Sequence, residues 1–285
     1  IKNKKFMKIS ILLPYKENFS PTYAGAVSLF INDTIKLSKF KQTTTIYGYT
    51  EYKKRFKSKY VNIEASKKFF SSSNKEYVKK FISIEKKNKS DLIEIHNRPN
   101  YLNFLINGLN KRNYILYFHN DPLSMSGSSS IKDRIFLLKN CYRIIFNSNW
   151  SKKRFLEKMS SDAINSEKLI VIHQSASKNK INIKKKQNII TFVGKLNRSK
   201  GYDLFGKAVI DILKKYNNWK VYIAGDEPRD KIDFNHDRLI KLGFRNHKEI
   251  INLYKLTSIA VVCSRWEEPF GRTSLEASAN GCAVI

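Results

Sequence analysis

Short apolar runs recur along the chain, separated by stretches whose hydrophobic residues return at helical spacing. Candidate strands cover Ile9 to Leu13, Thr44 to Tyr47, Leu92 to Ile95, Tyr114 to Phe118, Arg143 to Asn147 and Leu169 to Ile172. After a polar gap come Ile190 to Val193, Lys220 to Ala224, Ile259 to Cys263 and Cys282 to Ile285. Most are near-continuous rather than alternating, the pattern of parallel strands covered on both faces. Between them, Leu204, Phe205, Ala208, Val209, Ile212 and Leu213 form the stripe of an amphipathic helix, and Val27, Phe30, Ile31 and Ile35 form another. Strand-helix alternation of this kind predicts a doubly wound α/β architecture.

The polar segment from Ser175 to Asn188, with Lys184, Lys185 and Lys186, separates the two strand series. It predicts an N-terminal domain over 1–177, a linker over 178–188 and a C-terminal domain over 189–285. A mobile loop is expected from Asn120 to Ser130, where Gly127 precedes a run of serines. The chain opens on Ile1 and stops at Ile285 inside a stretch that reads as a buried strand. A fragment with an incomplete C-terminal domain is therefore expected, with Met7 a candidate natural start.

Composition narrows the class. With 285 residues, 41% hydrophobic and 13% aromatic, the chain can bury a proper core, which excludes a disordered or low-complexity protein. No apolar run approaches the length of a membrane span. Cys141, Cys263 and Cys282 are odd in number and share no ligand spacing, which speaks against disulfides and zinc. Lys and Arg number 54 against 24 acidic residues, a net charge of +30 that favours anionic partners. A compositional bias toward lysine accounts for most of that excess, so local clusters must carry any functional claim.

Two stretches offer chemistry. From Ser264 to Gly281 a strand end leads through a turn at Pro269 and Gly271 into a helix over Thr273 to Asn280, capped by Gly281. Glu267, Glu268 and Glu276 then lie at the carboxyl end of a strand, where ligands of open α/β sheets bind. Glu268 and Glu276 would diverge by about 80° on one helix. With Glu268 in the loop and Glu276 one turn inside the helix, both can face one polar ligand. Carboxylates accept from paired hydroxyls, which suits a ribose or a sugar. A ligand-free alternative also stands: Thr273 and Glu276 fit a capping box. The second stretch, Ile190 to Gly201, runs a strand into a turn at Gly194, with Lys195, Arg198 and Lys200 ahead of the Leu204 helix. Basic side chains beside a helix start suit a diphosphate. No GxxxxGK[ST] and no GxGxxG occurs.

Together these stretches resemble the family 4 retaining glycosyltransferases of the GT-B fold. The family's Glu-x7-Glu in a Glu-Pro-Phe-Gly…Leu-Glu-Ala context is met by Glu268 and Glu276. Its Phe-Val-Gly-Arg-Leu…Lys-Gly pattern is met at Lys200, with Lys195 where the family usually has Arg. The likeness extends to Ala24-Gly25-Ala26, His119, and Gly225-Asp226. Through Glu94-Ile-His-Asn-Arg-Pro99 and Phe118-His-Asn-Asp-Pro122 it leans toward bacterial lipopolysaccharide and capsule enzymes. Where many members carry Asn-Gly-Val/Ile-Asp near the domain junction, this chain has Gln174-Ser-Ala-Ser177.

The resemblance implies two Rossmann-like domains facing a cleft. It implies transfer of a hexose or N-acetylhexosamine from a nucleoside-diphosphate sugar to a glycan or lipid-linked glycan acceptor. Glu268, His119, Lys200 and Lys195 would be catalytic. Gly25, Gly194, Lys195, Lys200, Gly225, Phe270, Gly271, Arg272 and Glu276 would bind the donor, with Glu276 on the ribose and Glu268 on the transferred sugar. His96, Asn97, Arg98 and Asn120 would face the acceptor. No cofactor or metal is expected, since Asp-x-Asp is missing and lysines supply the charge. The expected setting is cytoplasmic, with peripheral contact to anionic membrane. For that contact, Tyr77, Val78, Phe81 and Ile82 amid Lys75, Lys79, Lys80, Lys86 and Lys87 could form a basic amphipathic helix resting on lipid. A helix packing its apolar side on the sheet outweighs that reading; Phe69 and Phe70 beside Lys67 and Lys68 add to the surface reading. Two rivals remain: a non-catalytic nucleotide-sugar or glycan binder, and a basic nucleic-acid-binding protein. The second is disfavoured by the absence of any helix-turn-helix, RRM or zinc pattern.

Overall fold

The computed structural model describes residues 7–64, 72–177, 180–230 and 232–285. The chain divides into two units, Ile1–His173 and Gln174–Ile285. The first is built on a seven-stranded sheet of β1 (Ile9–Leu12), β2 (Thr44–Gly48), β3 (Tyr60–Asn62), β4 (Leu92–His96), β5 (Asn113–Phe118), β6 (Arg143–Phe146) and β7 (Leu169–Val171). Its order is β3-β2-β1-β4-β5-β6-β7, every pair parallel. Its helices are α1 (Ala26–Leu37), α2 (Ser73–Asn88), α3 (Tyr101–Gly108), α4 (Ile131–Asn140), α5 (Asn149–Leu156) and α6 (Ser161–Ile164).

The second unit has β8 (Gln187–Val193), β9 (Lys220–Ala224), β10 (Leu239–Gly243), β11 (Thr257–Val261) and β12 (Ala283–Val284), with α7 (Tyr202–Lys215), α8 (His247–Leu256) and α9 (Arg272–Ala279). Its order is β10-β9-β8-β11-β12, again all parallel. Parallel neighbours need crossovers, and the helices that provide them cover the sheets. Both units are therefore Rossmann-like, and the fold is of the GT-B type.

Apolar packing explains why these runs settle as they do. On α7, Tyr202, Phe205, Val209 and Leu213 are buried against Ile190, Phe192, Val221 and Ile223 of the sheet. Each such side chain contributes about 1.5–3 kcal/mol on burial. Leu204, counted into the stripe from sequence, is instead about half exposed.

Sheet order reverses between β1 and β4 in the first unit and between β8 and β11 in the second. These are the topological switch points, where the loops leaving adjacent strands part to opposite faces and open a crevice. Gly194 to Gly201 leaves β8, and Val262 to Gly271 leaves β11. The two stretches singled out by their chemistry thus emerge side by side.

Several expectations need correction. Gln187 and Asn188, read as linker, belong to β8, while Lys178 and Asn179 lie outside the described residues. Lys186 is no solvated linker residue: its ammonium donates to the carbonyls of Tyr254, Thr257 and Asn280, each at 2.7 Å. The Asn120 to Ser130 segment is fastened, with a 3-10 turn at Pro122–Ser124, a buried Ser128 and an Arg154–Asp121 pair. On α2 the favoured packing reading holds: Tyr77, Val78 and Phe81 are fully buried in the core, so its apolar face is not presented to lipid. Phe69, Phe70, Lys67 and Lys68 lie outside the described residues. Among the described residues, no helix is long and apolar enough to cross a membrane.

Candidate functional site

In the second unit, the β11 loop is clamped onto the turn that starts α7. Arg265 donates its backbone N–H to the Ser199 carbonyl at 2.9 Å and its guanidinium to the Arg198 carbonyl at 2.7 Å. The same guanidinium makes a bidentate pair with Asp203 at 2.5 and 2.8 Å. That hydrogen-bonded pair holds the Asp203 carboxyl down at about 2. Gly201 completes the clamp. Its φ is +73°, and a Cβ there would stand 2.0 Å from the Cys263 carbonyl oxygen, so only glycine admits the approach.

The clamp brings Lys200 and Glu268 together across 68 residues of sequence. Lys200 Nζ donates to Glu268 Oε1, which also accepts from Ser264 Oγ at 2.8 Å. The ammonium lies 5.2 Å from the Trp266 ring centroid. Burial pushes the Glu268 carboxyl up, but the hydrogen bond and charge of Lys200, with Ser264 and Trp266, outweigh it and hold it below its ordinary value. Lys200, Glu268, Gly194 and Gly271 line one small cavity of about 40 Å³ at the switch point, with Ser264 and Thr273. Lys195 is exposed and is not part of that lining.

Glycine again sets the local geometry behind the cavity. Gly225 has φ +142°, and its missing Cβ would fall 1.8 Å from the Gly194 carbonyl oxygen. The turns after β8 and β9 can touch only because Gly225 has no side chain.

Glu276 is held elsewhere on α9. The predicted capping box does not form: α9 starts at Arg272, its N-cap is Gly271, and no side chain caps it. Glu276 Oε1 instead accepts from Arg272 Nε at 2.7 Å and from His247 Nε2 at 2.9 Å. Burial raises this carboxyl, and the His247 hydrogen bond with the Arg272 charge more than offsets it, leaving it below its ordinary value. The expected C-terminal cap at Gly281 is present. Gly281 N–H bonds the Ser278 carbonyl, Cys282 N–H reaches back to Ala277, and Gly281 adopts φ +74°. Phe270 is half-buried in the loop ahead of Gly271.

In the first unit, β4 and β5 deliver His96 and His119, with Nδ1 of His96 2.9 Å from Nε2 of His119. Both rings are buried, and Tyr117 stacks on His96 at 4.7 Å between centroids. Among the described residues His96 Nε2 has no hydrogen-bond partner, and Glu94 Oε2 lies 3.6 Å from it. Asn97, read as an acceptor-facing residue, spends its side chain on the fold. Its Oδ1 accepts from the backbone N–H of His119 at 2.7 Å and of Asn120 at 3.3 Å. Arg98 donates back to the Asn97 carbonyl at 2.8 Å. The α1 start at Gly25 is also partly taken: Glu17 Oε1 accepts from the Ser28 N–H at 3.0 Å. The helix start where Gly25 is expected to bind the donor is thus short of one N–H.

Sequence reasoning missed His247, Arg265, Asp203 and Glu17. Each acts through a partner 11 to 62 residues away. No local spacing could have marked them. Among the described residues, no group of three or more His, Cys, Asp or Glu side chains is placed to hold a metal ion.

A cation and a carboxylate paired at the switch point of a Rossmann-like unit can attract an anion and accept from hydroxyls. Residues 173–285, which contain that site, match the family model for glycosyl transferases group 1. An uncharacterized glycosyltransferase of Methanocaldococcus jannaschii is 31% identical over 37% of this chain and 28% of its own length. Spore coat protein SA of Bacillus subtilis is 20% identical over 98% of this chain and 80% of its own. Among solved structures, Anabaena HepE in complex with UDP and glucose superposes with a TM-score of 0.71 at 19% identity, over 98% of this chain and 80% of that one. The lipopolysaccharide outer core galactosyltransferase WaaB does so at 0.63 and 18%, with the same coverage.

Proposed function

We propose that this chain is a retaining glycosyltransferase of family 4. It moves a hexose or N-acetylhexosamine from a nucleoside-diphosphate sugar to a lipopolysaccharide- or capsule-type glycan. The observation that carries the reading is the Lys200–Glu268 pair at the β8/β11 switch point, inside the segment that matches the group 1 model. Lys200, with Lys195 from the same turn, neutralises the donor diphosphate as the sugar–oxygen bond breaks and its electron pair passes to phosphate. Glu268 accepts from hydroxyls of the transferred sugar, and Glu276 from the ribose. The acceptor hydroxyl attacks from the face the phosphate leaves, and its proton passes to the departing phosphate oxygen. Glu268 therefore positions the sugar and forms no covalent bond to it. No metal is required, since the lysines provide the charge. The setting is the cytoplasm, with a lipid-linked acceptor met at the membrane surface.

A melting series tests this reading. With UDP, GDP and ADP each at about a hundred times its dissociation constant, the binding nucleotide adds about 2.7 kcal/mol of stability. One base is expected to raise the melting temperature, and Glu276→Ala to abolish that rise. A protein that melts cooperatively and shifts with none of the three would remove the donor-site assignment.

A further inference from the structure

We propose that His247 is a positioning residue for nucleotide recognition: it holds the Glu276 carboxylate in the orientation that accepts ribose hydroxyls. The inference rests on the reading of Glu276 as the ribose acceptor and extends it to a residue that makes no direct contact with the chemistry.

Three observations carry it. Both bonds to Glu276 fall on one oxygen, Oε1, from His247 Nε2 at 2.9 Å and Arg272 Nε at 2.7 Å. Oε2 takes part in neither. A carboxylate gripped by one oxygen from two directions has its rotamer fixed while the other oxygen remains an acceptor. Arg272 is on the same helix, four residues earlier. His247 supplies the outside reference.

Its own placement is rigid. His247 is the first residue of α8, and Asn246 and Glu249 form a reciprocal capping box that pins the helix start. Further along, Ile250 and Tyr254 of α8 share a buried apolar cluster with Ala277, the neighbour of Glu276. The two helices are thus fixed against each other one turn from the hydrogen bond. For Nε2 to donate, the neutral ring must carry its proton there, and a glutamine side chain can present an N–H at a similar reach.

The test compares UDP, GDP and ADP, each with its 2′-deoxy form, by calorimetric titration on the whole chain and on His247→Ala and His247→Gln. Wild type is expected to bind one of the three at least tenfold more tightly than its deoxy form. His247→Ala should bring that ratio to within about twofold of one, and His247→Gln should keep most of it. Turnover with a sugar of that nucleotide at saturation should fall far less than the rise in KM. Equal binding of the two nucleotides by wild type, or no binding of any of the UDP, GDP and ADP pairs, overturns the ribose reading of Glu276 itself. Discrimination retained in a folded His247→Ala overturns the positioning role alone, as does its loss in both variants. Should the alanine variant fail to fold, discrimination lost in a folded His247→Gln overturns the role and discrimination kept supports it.

Discussion

Lys200→Ala is expected to lower turnover by about 10²–10³-fold while leaving the protein folded. The ammonium is the charged group that the clamp delivers into the switch-point cavity. On the proposed reading the departing phosphate gains charge next to it in the transition state, so the loss falls on kcat more than on KM. Its partner suffers as well: without Lys200, only the Ser264 and Trp266 hydrogen bonds are left to oppose the upward push of burial on the Glu268 carboxyl. Stability should change little, because both side chains are 26% exposed and pairs so exposed contribute at most about 1 kcal/mol. Initial rates with a nucleotide-sugar of the base chosen by the melting series, set beside a melting curve, measure both. Unchanged turnover in the alanine variant would mean that the cation serves only to neutralise Glu268.

Glu94→Gln is expected to stabilise the first unit above neutral pH. Burial pushes the Glu94 carboxyl up to about 7 from an ordinary 4.5. A carboxyl raised on folding contributes stability that is whole below pH 4.5 and is lost as the pH climbs through 7. That loss amounts to about 3 kcal/mol at most, and a neutral glutamine avoids it. For a unit of this size the variant should melt roughly 6–12 °C higher at pH 8 and converge with wild type near pH 4.5. His96 works in the opposite sense. Burial drives its imidazole down to about 3, so its contribution is whole above 6.5 and fades as the pH falls toward 3. Melting curves at pH 5, 6.5 and 8 separate the two, and identical curves for variant and wild type at pH 8 would show that the carboxylate is well solvated.

The sheets were legible in the sequence wherever strands are covered on both faces. All ten candidate strands are present within a few residues of their expected limits. The two strands not foreseen, β3 and β10, each lie at one edge of their sheet. Their residues are half-covered, β3 uniformly and β10 in a mixed pattern, so no continuous apolar run marks them. The site was legible to the extent that its residues belong to contiguous stretches: Lys200, Gly194, Glu268 and Gly271 do come together. The partners of those residues were hidden. Arg265 reads locally as one more basic residue in a basic chain, and its role exists only because β8 and β11 are neighbours. Glu276 misled in the opposite direction, since Thr273 at the right spacing promised a cap that Gly271 and Arg272 displaced. Asn97 gave no hint that its amide would be consumed by the backbone of the next loop.

The three carbonyls that Lys186 binds lie on buried residues at the C-terminal ends of α8 and α9. An ammonium with all its hydrogens engaged has no lone pair for an electrophile. In a brief exposure to an amine acylating reagent, Lys186 should therefore react far more slowly than Lys184 and Lys185 beside it. Its acylation would then record how often the second unit opens, and mass-spectrometric counting of that one modified peptide against time would give the opening rate directly. A reaction as fast as that of its two neighbours would mean the amine is not held in this way. One lysine among so many would serve as the clock of the unit it fastens.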